Sequence, residues 1–266
     1  MKQRIVTGVL GGGLFLGVLW SGGWMYTLML SALATIGYVE FCRMKAISWN
    51  RPQAWVGFVT LWLILMTGPS DQGYLSSGGI LEHPNNILIG LILFFLLMVA
   101  SRNRLTIGEL AYLLLGSLYI GYGFSYMIQA RLITDGLAWS LLAVLVTFAS
   151  DTGAYFVGRR LGNRKLWPSV SPNKTVEGSV GGMLASLLVS AIIAFIFPEL
   201  GTFFAVVAIG LLISVAGQFG DLIESAIKRS AGVKDSGTLL PGHGGVLDRF
   251  DSLLVVFPIL HLTQLI

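Results

Sequence analysis

Val176-Glu-Gly-Ser-Val-Gly-Gly-Met-Leu-Ala-Ser-Leu-Leu-Val-Ser-Ala-Ile-Ile-Ala-Phe-Ile-Phe197 holds a single charge, Glu177, at its start and is otherwise apolar or small for 22 residues. A run of roughly 17–25 such residues, coiled as a helix, crosses a hydrocarbon core about 30 Å thick. The small residues within it are those expected where helices pack closely in lipid. The stretch predicts a membrane-spanning helix.

The same reading extended in both directions finds further runs. Together they are Ile5–Trp20, Trp24–Cys42, Ala54–Gly68, Ile87–Ala100, Ile107–Ile128, Leu137–Val157, Val176–Phe197, Phe203–Gly220 and Val246–Leu265. The third and fourth are short for a full span, so each either lengthens by a turn at its ends or is partly re-entrant. Composition agrees: 55% of the 266 residues are hydrophobic and 11% are charged, against about 25% charged in soluble domains. Too few charges are present to cover a globular surface in water, and no G-X-Y period supports a collagen-like chain. Met1-Lys-Gln-Arg4 before an apolar run has the look of a signal peptide, but no A-x-A site follows and a second run begins within four residues. The expectation is an all-α, polytopic membrane protein of about nine transmembrane helices. It is read as one integral membrane domain, 1–266, with 1–136 as an N-terminal helical bundle part and 137–266 as the catalytic part.

Charge distribution sets the expected topology. With the N-terminus in the cytoplasm and nine spans threaded, sixteen of the seventeen Lys and Arg fall in cytoplasmic segments, and only Arg131 lies outside. That is the positive-inside pattern. The outer segments carry Asp71, Glu82, Asp135 and Glu199, and the C-terminus is expected outside. The location expected is the cell inner (cytoplasmic) membrane, with no nucleic-acid partner.

Two cytoplasmic segments are longer and more polar than the rest. One runs from Asp151 through Gly158 and Arg159 to Ser171-Pro-Asn-Lys174-Thr-Val-Glu-Gly178, and the other from Asp221 to Asp251. Eight of the thirteen acids lie between Asp151 and Asp251. Asp221, Glu224, Ser225 and Lys228 share one face if the eighth helix continues past Gly220. A Glu224–Lys228 pair at a solvated helix end is the plainer reading of two of them. Asp221 follows directly on an apolar span, where a carboxylate is costly unless paired or bound to a cation.

Leu239-Leu-Pro-Gly-His-Gly-Gly245 predicts a tight turn whose backbone N–H groups can converge on an anion. Asp248 and Asp251 follow, one turn apart at the expected start of the last helix. Two carboxylates beside a glycine turn and Arg249 suit Mg²⁺, which takes one or two carboxylates plus phosphate oxygens. Capping by Asp248 is the plainer alternative. Lys228, Arg229 and Lys234 lie between the carboxylates and Lys174 in the other loop, a pattern that suits a clamp for a polyphosphate and its metal. His83, His243 and His261 lack zinc-ligand spacing, no P-loop or nucleophile-elbow motif is present, and Cys42 is the only cysteine.

These residues are the ones that carry a resemblance. Ser225-Ala-Ile-Lys228-Arg229-Ser-Ala-Gly-Val-Lys234-Asp235-Ser-Gly-Thr-Leu-Leu-Pro241-Gly-His243-Gly244-Gly245-Val-Leu-Asp248-Arg249-Phe-Asp251 resembles the signature of the phosphatidate cytidylyltransferases, or CDP-diacylglycerol synthases. Asp151–Arg159 and Ser171–Gly178 also resemble that family's upstream cytoplasmic segments. Val176 departs from it, since many members carry Trp there, and the N-terminal half matches only in hydropathy and span count. The resemblance implies CTP and phosphatidic acid as substrates, CDP-diacylglycerol and pyrophosphate as products, Mg²⁺ with a potassium ion beside it, and a homodimer in the lipid bilayer. It places Asp221, Asp248 and Asp251 around the metal, with Lys228 and Arg229 as catalytic cations. Asp151, Ser171, Lys174, Lys234, Asp235, His243, Gly244, Gly245 and Arg249 are expected to bind substrate. A transporter, a polyprenol or dolichol kinase and a purely structural scaffold are the rival readings. No inverted repeat supports the first, and the third leaves the 27-residue polar signature without a purpose.

Overall fold

The structure is a computed structural model that describes residues 2–71, 83–102, 104–238 and 244–265. It is mostly helical, with elements α1 (Lys2–Ser21), α2 (Gly23–Met44), α3 (Pro52–Asp71), α4 (His83–Ala100), α5 (Ile107–Leu132), α6 (Gly136–Leu161), β1 (Lys165–Trp167), β2 (Ser171–Thr175), α7 (Val176–Ile196), α8 (Phe203–Ser230), α9 (Leu247–Phe250) and α10 (Leu253–Leu262). Among the described residues, α2, α5, α6, α7 and α8 are long and apolar enough to cross a membrane. Shorter apolar helical stretches cover Leu10–Ser21, Pro52–Thr67, Asn85–Ala100 and Leu253–Leu262. Large apolar side chains such as Phe195 and Phe204 lie on the outside, as lipid-facing residues do.

The chain forms two compact units. The first comprises residues 1–132 with 235–248, and the second 133–234 with 249–266. In the first, α3 packs on α5 and α4, and α2 on α5. Tyr26, Tyr38, Phe41 and Phe124 are fully buried there. The Phe41 and Tyr112 rings stack at 4.3 Å, and the Tyr112 hydroxyl donates to the Phe41 carbonyl at 2.8 Å. Hydroxyls inside an apolar bundle need such partners, since no water reaches them. Ser117 likewise donates to the carbonyls of Gly57 and Leu113, at 3.0 and 2.9 Å.

In the second unit α6 packs along α7 at very short range. A Cβ on Gly182 would fall 2.8 Å from the Ser150 carbonyl oxygen, and one on Gly178 2.8 Å from that of Ala154. The backbones therefore meet because small residues line the seam. Thr175 caps α7, its hydroxyl accepting from the Gly178 N–H at 3.1 Å, and Thr202 caps α8.

Two features depart from expectation, and a third meets a condition set above. The chain is not purely helical: β1 and β2 form an antiparallel hairpin, Lys165 opposite Thr175 and Trp167 opposite Ser171. It is entered by a loop that Glu177 holds, accepting from the N–H groups of Asn163 and Arg164. The eighth helix does continue past Gly220, reaching Ser230. The last expected span, Val246–Leu265, is not one continuous helix: α9 ends at Phe250 and α10 starts at Leu253. The Asp251 side chain accepts from the Ser252 N–H at 2.8 Å, a local bond of the kind that competes with helix continuation.

Candidate active site

Within the second unit, α6, the hairpin, α7 and α8 enclose a cavity of about 510 Å³. Asp151, Tyr155 and Arg159 line it from α6, Ser171 and Lys174 from β2, Ser179 from α7, and Gln218 and Asp221 from α8. Lys174 spans the hairpin to α8: its Nζ lies 2.7 Å from Asp221 Oδ2 and donates to the Gln218 carbonyl at 3.3 Å. Gln218 is itself fixed. Its side-chain oxygen accepts from Ser179, and its amide donates to the Ser179 carbonyl at 3.2 Å and to Ser214 Oγ at 3.3 Å. Ser225 donates to Asp221 Oδ1 at 3.3 Å, so the expected Asp221–Ser225 face is real. Arg159 donates to the Tyr155 hydroxyl at 3.1 Å.

One turn further along α8, Glu224 is 1% exposed and ion-pairs with Lys228. Glu224 is buried and Lys228 only partly exposed, so the pair is not a solvated helix-surface one. Arg229 is exposed and donates to the Val233 carbonyl at 3.2 Å, covering the C-terminal end of α8. Lys234 and Arg249 are exposed, and Arg249 joins Lys174 as a cation acting on Asp151. Burial holds the Asp251 carboxyl well above the usual carboxylate range, and Asp221, Glu224 and Asp151 push it further the same way.

Within the first unit a second set forms around Asp248. Its Oδ2 accepts from the N–H of Ser236 at 2.9 Å, the N–H of Gly245 at 2.8 Å and the hydroxyl of Ser236 at 3.0 Å. Gly244 adopts φ +84°, and a Cβ there would run into that carboxylate. Alongside is Glu40 of α2, 4% exposed, which accepts from Val246 N–H at 2.9 Å, Leu247 N–H at 3.1 Å and Ser236 Oγ at 3.2 Å. Asp235 at the start of this segment is exposed.

Two expectations change. The regular helix that would align Asp248 with Asp251 ends at Phe250, and Asp251 lies in the turn beyond it. The backbone N–H of Gly245, expected to face an anion from outside, already donates to Asp248. His243 lies outside the described residues. Glu40 escaped the sequence reading, although a lone carboxylate inside an apolar run was a signal available to it.

Among the described residues no group of three or more His, Cys, Asp or Glu is arranged to hold a metal ion by itself. The donor set nevertheless fits Mg²⁺ of the substrate-bridging kind. Asp221 and Asp251 are hard oxygen donors, the first acting by its charge on the second, and such a cation needs one or two carboxylates when phosphates complete its shell.

A model of the cytidylyltransferase family matches residues 2–266. The phosphatidate cytidylyltransferase of Bacillus subtilis (strain 168) is 40% identical over 262 residues, covering 98% of this chain and 96% of that protein. That of Staphylococcus saprophyticus is 40% identical over 263 residues, covering 98% of each. That of Staphylococcus haemolyticus is 38% identical over 262 residues, again covering 98% of each.

Proposed function

Given that the chain belongs to the cytidylyltransferase family, we propose that it transfers CMP from CTP to phosphatidic acid, releasing pyrophosphate and forming CDP-diacylglycerol for phospholipid synthesis. The observation that supports this most is the Lys174–Asp221 pair on the wall of a cavity that Asp151 and Arg159 also line, in a unit otherwise made of apolar helices. Such a cavity lets a charged head group and a nucleotide meet while acyl chains stay in lipid.

In the reaction a phosphate oxygen of phosphatidate forms a bond to the α-phosphorus of CTP, and the bond from that phosphorus to the bridging oxygen breaks as pyrophosphate leaves. A phosphate monoester is mostly ionised near pH 7, so the nucleophile needs no general base. The obstacle is repulsion between two anions, and cations positioned on the protein answer it. Lys174 and Arg249, with Lys228, Arg229 and Lys234, contact phosphate oxygens. Gln218, locked by Ser179 and Ser214, holds Lys174 in place through its carbonyl. Asp221 and Asp251 hold Mg²⁺, which when bound neutralises charge developing on the leaving group. Asp151 and Ser171 line the substrate cavity. Asp248 stands with Asp221 and Asp251 as a metal-side carboxylate; one of its oxygens accepts three donors from Ser236 and Gly245, and Asp235, His243, Gly244 and Gly245 are substrate-binding residues.

Finer parts of the reading stand with this proposal. They are nine spans with the N-terminus cytoplasmic and the C-terminus outside, the cell inner membrane as location, a single membrane domain whose parts serve one activity, a potassium ion beside Mg²⁺, and a homodimer. Purified protein supplied with phosphatidate and CTP tests the activity, with pyrophosphate and CDP-lipid followed together. Equal amounts of both are expected. Release of CDP would mark a lipid kinase instead, and vesicle uptake without lipid product a transporter.

A further inference from the structure

The geometry points to Glu40 as a positioning residue for the stretches 235–238 and 244–248. This inference rests on the cytidylyl-transfer reading, because it is the substrate role of those stretches that gives Glu40 something to position. Glu40 stands about one turn before the C-terminal end of α2, between Val39 and Phe41, and is 4% exposed. A carboxylate in such a place is expensive and persists where it does a specific task.

The task is visible in its partners. Val246 N–H donates to Oε1 and the next N–H, Leu247, to Oε2. Two consecutive backbone donors held by the two oxygens of one carboxylate fix both the height and the direction of the chain as it enters α9. Ser236 Oγ reaches the same Oε2 from the other described end of the segment, so one side chain ties both ends. That hydroxyl has one proton and two carboxylates in range, Glu40 and Asp248, and so it links the two. The sequence has adapted around the peg. A Cβ on Gly237 would fall 2.6 Å from Glu40 Oε1, and one on Gly245 would collide with Oε2. Glycine at both places leaves the carboxylate its room.

Glu40→Gln and Glu40→Ala in the full-length protein, in nanodiscs, test this. Glutamine keeps the volume but sets an NH₂ against one of the two amides; alanine removes both acceptors. Amide hydrogen exchange at Val246 and Leu247 should quicken about 10- to 100-fold in Glu40→Ala and by a lesser factor in Glu40→Gln, as for loss of charge-assisted hydrogen bonds. Turnover per monodisperse, folded molecule should fall in the same order, with kcat dropping more than KM for CTP rises. Unchanged protection of both amides in Glu40→Gln overturns the inference, even if Glu40→Ala does not fold. So does a variant whose only defect is a lower yield of folded protein with normal kcat. Loosened amides in a protein whose wild type makes no CDP-lipid would instead uphold the anchoring and sink the proposed activity.

Discussion

Lys174 on β2 and Asp221 on α8 meet at 2.7 Å, 47 residues apart in sequence, and this ion pair fastens the hairpin to the helix that carries Asp221 and Glu224. It is about one-third exposed on the Asp221 side, so solvent screens it and its worth to folding is small. On the proposed mechanism its worth to chemistry is larger, because substrate phosphates would compete with Asp221 for the same ammonium. Lys174→Ala should lower kcat/KM for CTP about 10- to 100-fold, on the scale of one charge-assisted contact in the transition state. Steady-state kinetics with saturating phosphatidate measure it, and a value near wild type would remove Lys174 from the machinery.

Metal removal probes the acids. EDTA should abolish CDP-lipid formation and Mg²⁺ should restore it. Asp251→Asn, which takes away one hard donor from a set already crowded with negative charge, should cost at least ~10²-fold in kcat. Robust turnover in chelator, or a near-normal Asp251→Asn enzyme, would refute the assignment of the metal to Asp221 and Asp251.

The α6–α7 seam offers a test of packing. Gly182→Ala places a methyl 2.8 Å from a backbone oxygen that cannot step aside as a side chain can. Separation of the two helices should cost about 1–3 kcal/mol. The variant should melt earlier in detergent, and because these helices carry Asp151 and Ser179, activity should decline with it. A melting curve identical to wild type would show the seam to be looser than described.

Arg131, the one basic residue expected on the outer side, has a structural occupation. Its Nε donates to the Leu19 carbonyl at 2.8 Å and its Nη2 to that of Trp20 at 3.2 Å, closing the C-terminal end of α1. Arg131→Gln should lose about 1 kcal/mol of stability while turnover per folded molecule stays at the wild-type level. A drop in kcat without a drop in stability would contradict that division of labour.

What could be read from sequence followed the range of each interaction. An apolar run such as Val176–Phe197 declares itself locally, because length and composition suffice to match a bilayer, and α7 lies where it was expected. The Glu224–Lys228 pair was legible for a similar reason, since i,i+4 spacing on a helix brings the two together. The hairpin was not, because Lys165–Thr175 mixes charges, Pro and Trp with no period-2 pattern, and its shape depends on Glu177 accepting two N–H groups from 13 and 14 residues upstream. The break after Phe250 was hidden by the apolar run that surrounds it. Glu40 was missed for the opposite reason: its donors lie up to 207 residues away.

That separation has a consequence for how the protein is made. Ribosomes finish α2 long before they reach Val246 and Leu247, so the nascent chain brings a carboxylate into the bilayer some 200 residues ahead of the backbone groups that will satisfy it. During that interval Glu40 is either protonated or wet. The first unit is complete only once residues 235–248 have been made, because they belong to it. A chain truncated before Ser236 leaves that carboxylate without the partners described for it.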